Sequence, residues 1–131
     1  MSAKDRVLVV DDDVDARETL CAALSQAGYV VEPAADGMEA LARLEDWPAD
    51  VVVSDVDMGP IDGIELVETL RKRGLVQPVV LITGLDRDFH IGTDCDAAAC
   101  LRKPMTLDEL VWTIDCVLAC SRPAQGGRIT H

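Results

Sequence analysis

Blocks of about five apolar residues alternate along the chain with longer stretches in which apolar positions recur every three or four residues. "RVLVV" (6–10), "DVVVSD" (50–55) and "PVVLIT" (78–83) are short, continuous and rich in β-branched side chains. That is the pattern of strands covered on both faces. "YVVEPA" (29–34) is strand-like but holds Pro33, which cannot donate to a ladder, so it belongs at a sheet edge. "AAACLRK" (97–103) reads as a weaker strand. Helical spacing links Leu20, Ala23, Leu24 and Ala27 before Gly28, then Ala40, Leu41 and Leu44, then Ile64, Val67 and Leu70 before Gly74. A last helix runs through Leu107, Leu110, Val111, Ile114 and Leu118, which share one side of a helical wheel. Asp36 with Glu39, Asp62 with Glu65, and Thr106 with Glu109 form capping-box signatures, and Asp13 or Asp15 caps the first helix.

Strands alternating with helices imply βαβ units. The expected fold is therefore α/β, a doubly wound parallel sheet of five strands with about five helices on both faces. In such sheets the reactive crevice lies beyond the carboxyl ends of the strands. Asp11 and Asp12 follow the first strand, Asp55 ends the third, Thr83 ends the fourth and Lys103 ends the fifth. All five should meet along one edge. Carboxylates pushed together repel unless a cation intervenes, and hard oxygen donors in an open site favour Mg2+. Lys103 adds a point charge and Thr83 a hydroxyl, which together suit the oxygens of a transferring phosphoryl group. Asp55, as a carboxylate, needs no general base to act as nucleophile, so an aspartyl-phosphate on Asp55 is expected.

Composition narrows the setting. The 131 residues suffice for one ordinary domain, and a net charge of −12 opposes binding to nucleic acid or an anionic membrane surface. Aromatics are only 3%, so Val, Leu, Ile and Ala must build the core. No apolar run approaches the ~20 residues that span a bilayer, and no signal-peptide pattern opens the chain. Five cysteines without a scaffold spacing fit reduced thiols in a cytoplasm. His90, Cys95 and Cys100 match no common zinc spacing. The domain is expected over residues 1–121, with 122–131 a tail or the start of a linker.

"VLVVDDD", "DVVVSDVDM" with the later "DG", "VVLITG" and "LRKP", in that order, resemble the response-regulator receiver domain of two-component signalling, a flavodoxin-like, CheY-like fold. The likeness runs over roughly residues 5–121. It implies a phosphoacceptor rather than an enzyme, one that catalyses its own phosphotransfer and autodephosphorylation. Asp55 would be the phosphorylation site, with Mg2+ held by Asp11, Asp12, Asp55 and the backbone carbonyl of Asp57. Thr83 would be the switch hydroxyl, Lys103 would pair with the phosphoryl group, and the Lys103–Pro104 bond would be cis. The implied partner is a histidine kinase or histidine phosphotransfer protein. The side chain of Asp57 would either repel hydroxide or position water at the phosphoryl group.

The chain departs from the family pattern in three places. Cys100 stands where the family carries an aromatic three residues before the lysine, which puts the usual relay from Thr83 in question. The stretch between Thr83 and Lys103 is about two residues short against that pattern, so a short, poorly formed helix is expected there. Pro60 comes one place late, in "MGP". Trp112, Cys116 and Ala119 fall on the solvent side of the last helix, a surface for an effector or a homodimer. Two other functions are compatible with parts of the sequence. A haloacid-dehalogenase-type phosphatase would use Asp55 and Asp57 as nucleophile and general acid, although that motif normally opens its domain. A pseudo-receiver would keep the fold and signal without phosphate.

Overall fold

In the computed structural model, which describes residues 5–59, 61–84 and 96–121, the element order is β1 (Arg6–Val10), α1 (Val14–Gln26), β2 (Val30–Ala34), α2 (Gly37–Asp46), β3 (Val51–Asp55), α3 (Gly63–Lys72), β4 (Val79–Thr83), β5 (Ala99–Arg102) and α4 (Leu107–Ser121). The five strands form one parallel sheet in the order β2-β1-β3-β4-β5. The Pro-bearing β2 lies at an edge, as its sequence requires. The described residues contain four helices. The short helix expected between β4 and β5, together with His90, Cys95, Pro60 and the tail 122–131, lies outside them.

Strand side chains alternate between two cores, as the period of two demands. Leu8, Val10, Val52, Val79 and Leu81 face one core, closed by Leu41 and Leu44 of α2 and Leu66, Val67 and Leu70 of α3. Val7, Val9, Val51, Val53, Val80 and Ile82 face the other, closed by Leu24 of α1 and Leu110, Ile114 and Leu118 of α4. Every residue of β3 and β4 is buried, which explains why 51–53 and 79–82 read as unbroken apolar runs before the polar strand ends.

Helix starts follow their capping signatures with one adjustment. Asp62 and Glu65 form a full box, and Thr106 and Glu109 exchange both bonds ahead of α4. Asp13 is the cap of α1, accepting from the Asp15 N–H. Asp36 accepts from Glu39, but the Glu39 carboxylate reaches Ala35 N–H rather than the cap itself. Leu107, expected on the core face, is 44% exposed. It is the first residue of α4, one turn before Leu110 enters the core, so the correct angular position does not give it burial.

Candidate functional site

The carboxyl ends of the strands carry the polar residues that the cores exclude. Buried polar side chains among the described residues are Asp11, Ser54, Asp55, Thr83 and Thr113. Three of these lie at the ends of β1, β3 and β4. Ladder bonds fix their neighbours: Asp11 N–H donates to the Ala34 carbonyl at 3.1 Å, Val56 N–H to Ile82 at 2.8 Å, and Lys103 N–H to Thr83 at 2.9 Å.

Asp11, Asp12 and Asp55 each offer a carboxylate oxygen, and the three oxygens lie within 4.8 Å of one another. Lys103 Nζ stands 3.8 Å from Asp55 Oδ2. The four residues expected to converge from β1, β3 and the end of β5 therefore do so. Thr83 sits between them on β4, and its hydroxyl donates to the Gly84 carbonyl at 3.3 Å. Asp57 lies in the loop after β3; its N–H donates to Asp55 Oδ1 at 3.2 Å. A Cβ built on Gly84 would stand 3.9 Å from Asp57 Oδ2, so the Asp57 side chain reaches across to the end of β4.

Burial dominates the electrostatics. It pushes the Asp55 carboxyl above the usual range, with the Lys103 ammonium and the Asp57 N–H opposing and Asp11 adding repulsion. Asp11 is raised by the same burial, countered by the Asp13 N–H and by Lys103. Two desolvated carboxylates beside a more exposed third, with one partly solvated lysine for company, make a site short of positive charge. The donor set is hard oxygen throughout, which fits Mg2+ and not a soft metal. A cleft of about 510 Å³ opens beside it, lined by Asp11, Asp13, Thr19, Lys103 and Pro104 among others. The Lys103–Pro104 bond is cis, as the resemblance implies.

Cys100 faces the same core as Leu81, its partner in register across β4 and β5. Pleat alternation puts Thr83 on that side too, two places along. Burial pushes the Cys100 thiol up, so it sits there as a neutral, compact group. Trp112 is 69% exposed, and Cys116 is half-buried beside it in a groove of about 400 Å³ along β5 and α4.

Two positioning residues escape a reading by residue type. Gly63 opens α3, where a Cβ would stand 2.7 Å from the Asp55 carbonyl oxygen. Only a hydrogen side chain lets the helix start this close to the Asp55 backbone. The available signal was a glycine placed inside a capped helix at a cost in propensity. Arg17 of α1 donates from Nη1 to the Asp11 carbonyl at 2.8 Å, and nothing in its spacing announces that contact.

The response regulator receiver domain matches residues 7–115 of this chain. Response regulator MprA of Mycobacterium sp. (strain KMS) is 40% identical over 123 residues, covering 92% of this chain and 54% of the relative. The chain thus spans about half the length of the curated relatives it matches. Among solved structures, Vibrio cholerae chemotaxis protein CheY4 superposes with a TM-score of 0.80 at 32% identity, covering 88% of this chain and 99% of that one. The Francisella response regulator 1452 receiver domain gives 0.80 at 29% identity, covering 91% and 100%. With a parallel sheet of this order, an acidic cluster at its carboxyl edge and a family match over most of its length, the chain belongs to the response regulator receiver domains of two-component signalling.

Proposed function

We propose that the chain accepts a phosphoryl group on Asp55 from a histidine kinase or histidine phosphotransfer protein, with Mg2+ held by Asp11, Asp12, Asp55 and the backbone carbonyl of Asp57. The observation that carries this reading is the convergence of three carboxylates from β1 and β3, with Lys103 Nζ 3.8 Å from Asp55. When bound, Mg2+ would neutralise carboxylate charge and stabilise phosphoryl oxygens. An Asp55 carboxylate oxygen attacks phosphorus, the bond from phosphorus to the donor's imidazole nitrogen breaks, and the imidazole leaves with its electron pair and takes up a proton. Lys103 balances charge on the phosphoryl group. The Thr83 hydroxyl exchanges its 3.3 Å bond to Gly84 for one to a phosphoryl oxygen.

Output follows from that exchange. Cys100, on the same side of the sheet as Thr83, responds to its movement through packing volume rather than ring rotation. The change reaches an effector or a second copy through the α4 face that carries Trp112 and Cys116. Phosphatase chemistry of the haloacid-dehalogenase type is disfavoured because β1 and its acidic pair precede the Asp-x-Asp strand and supply part of its site. A pseudo-receiver is disfavoured by the complete set of acidic, hydroxyl and ammonium groups.

Intact-mass spectrometry after incubation with acetyl phosphate and MgCl2 tests the proposal. One phosphoryl adduct is expected on the wild type and none on Asp55→Asn or in EDTA. Sustained turnover of p-nitrophenyl phosphate without an adduct would move the assignment to a phosphatase. The absence of both would move it to a pseudo-receiver.

A further inference from the structure

Asp11 is pinned by three hydrogen bonds. Asp11 N–H donates to the β2 carbonyl of Ala34, Asp11 Oδ1 accepts from Asp13 N–H at 2.9 Å, and Asp11 O accepts from Arg17 Nη1 at 2.8 Å. Arg17 also donates its own backbone N–H to the Asp13 carbonyl at 2.9 Å. That second bond is the first backbone turn of α1, common to any non-proline residue at 17, so the Arg17 side chain itself holds the Asp11 carbonyl, next to Asp12, the exposed member of the acidic cluster. The guanidinium takes a carbonyl and not a carboxylate, so it holds the segment without consuming an oxygen that a cation would need.

We infer that Arg17 is a positioning residue for the divalent-cation site, bracing Asp11 and Asp12 so that their carboxylates meet the ion without rearrangement. The inference rests on the cation-binding part of the proposed function. Three mutually repelling carboxylates held within 4.8 Å would spread if their loop were free to turn. A charged hydrogen bond to the Asp11 carbonyl opposes that spreading without occupying a carboxylate oxygen. Groups that orient metal ligands in this way typically change affinity tenfold or more when removed. Lysine can supply one donor and the same charge, but not the planar fork, so Arg17→Lys should restore most of the effect.

Isothermal titration of MgCl2 into the EDTA-stripped and dialysed full chain separates the outcomes. Arg17→Gln should bind about tenfold more weakly than wild type, Arg17→Lys should fall between the two, and circular dichroism should show all three folded. Wild type that binds Mg2+ while Arg17→Gln binds within about twofold of it overturns the inference alone; that margin is well short of what loss of an orienting group costs. Wild type that binds no Mg2+ overturns the cation reading and this inference with it. Should Arg17→Gln fail to fold, the same titration of Arg17→Met, which keeps the apolar stem and loses the donor, decides. Binding about tenfold weaker than wild type supports the brace, and binding within about twofold of wild type overturns it.

Discussion

Gly63→Ala places a methyl group in the tightest point beneath the acidic cluster. The new Cβ would stand 2.7 Å from the Asp55 carbonyl oxygen, 2.9 Å from Leu81 Cδ2 and 3.0 Å from Val56 Cα. Two of those atoms are backbone, and both belong to a segment pinned by Val56 N–H to Ile82 at 2.8 Å and by Gly63 N–H to Val56 at 3.0 Å. The third belongs to a fully buried leucine. None can yield by a simple rotation, so α3 or the chain after Asp55 must shift by several tenths of an ångström. Overpacking of this kind costs about 1–3 kcal/mol, while alanine recovers up to ~1 kcal/mol of helix propensity over glycine. The net expectation is a loss of roughly 1–2 kcal/mol, or about 4–8 °C in Tm for a domain of this size. Urea unfolding measures the stability, and the initial rate of acetyl phosphate labelling reports on Asp55. Gly59→Ala is the matched control, since a Cβ there meets nothing within 4 Å. It should stay within about 0.5 kcal/mol of wild type. A Gly63→Ala protein as stable as that control and labelled as fast would refute the close-approach reasoning.

The acidic cluster also predicts a direction with pH. In the fold, burial raises the Asp55 carboxyl above its ordinary value, more than Lys103 and the Asp57 N–H lower it, so the native state binds this proton more tightly than the unfolded chain. Stability from this group is therefore lost as pH rises through the raised folded value. Metal-free Asp55→Asn should be more stable than wild type at pH 7, the gap closing as pH falls through that value and as Mg2+ is added. Urea midpoints in EDTA measure it, and a less stable Asn variant at pH 7 would reverse the sign. Trp112→Ala removes a side chain that is 69% exposed, so stability should change by no more than about 0.5 kcal/mol. A loss above about 2 kcal/mol would place the indole in a packed environment.

Strand positions were legible because burial on both faces leaves long β-branched runs, and the pleat then assigns each residue to a core without further information. Val7 and Leu8 separate in this way, as do Val79 and Val80. The acidic residues, Thr83 and Lys103 were legible for a related reason: the crevice rule converts a position just after a strand into a location in space. Leu107 was misplaced because a helical wheel carries angle and not depth. Arg17 and the Ala35 contact of Glu39 were invisible because long side chains choose partners by reach. Gly63 declared its importance only once the distance to Asp55 was known.

The cluster draws Asp11 and Asp12 from near the start of the described chain, Asp55 from its middle and Lys103 from near its end. No contiguous fragment that omits either end can reproduce it, and a half-folded chain holds at most part of the ligand set. On the proposed function, cation binding would thus be a certificate of completed topology. By mass action, free Mg2+ at a hundred times its dissociation constant would add about 2.7 kcal/mol to the native state alone. On that reading, Mg2+ would guard against partial unfolding and complete the acidic site in one event.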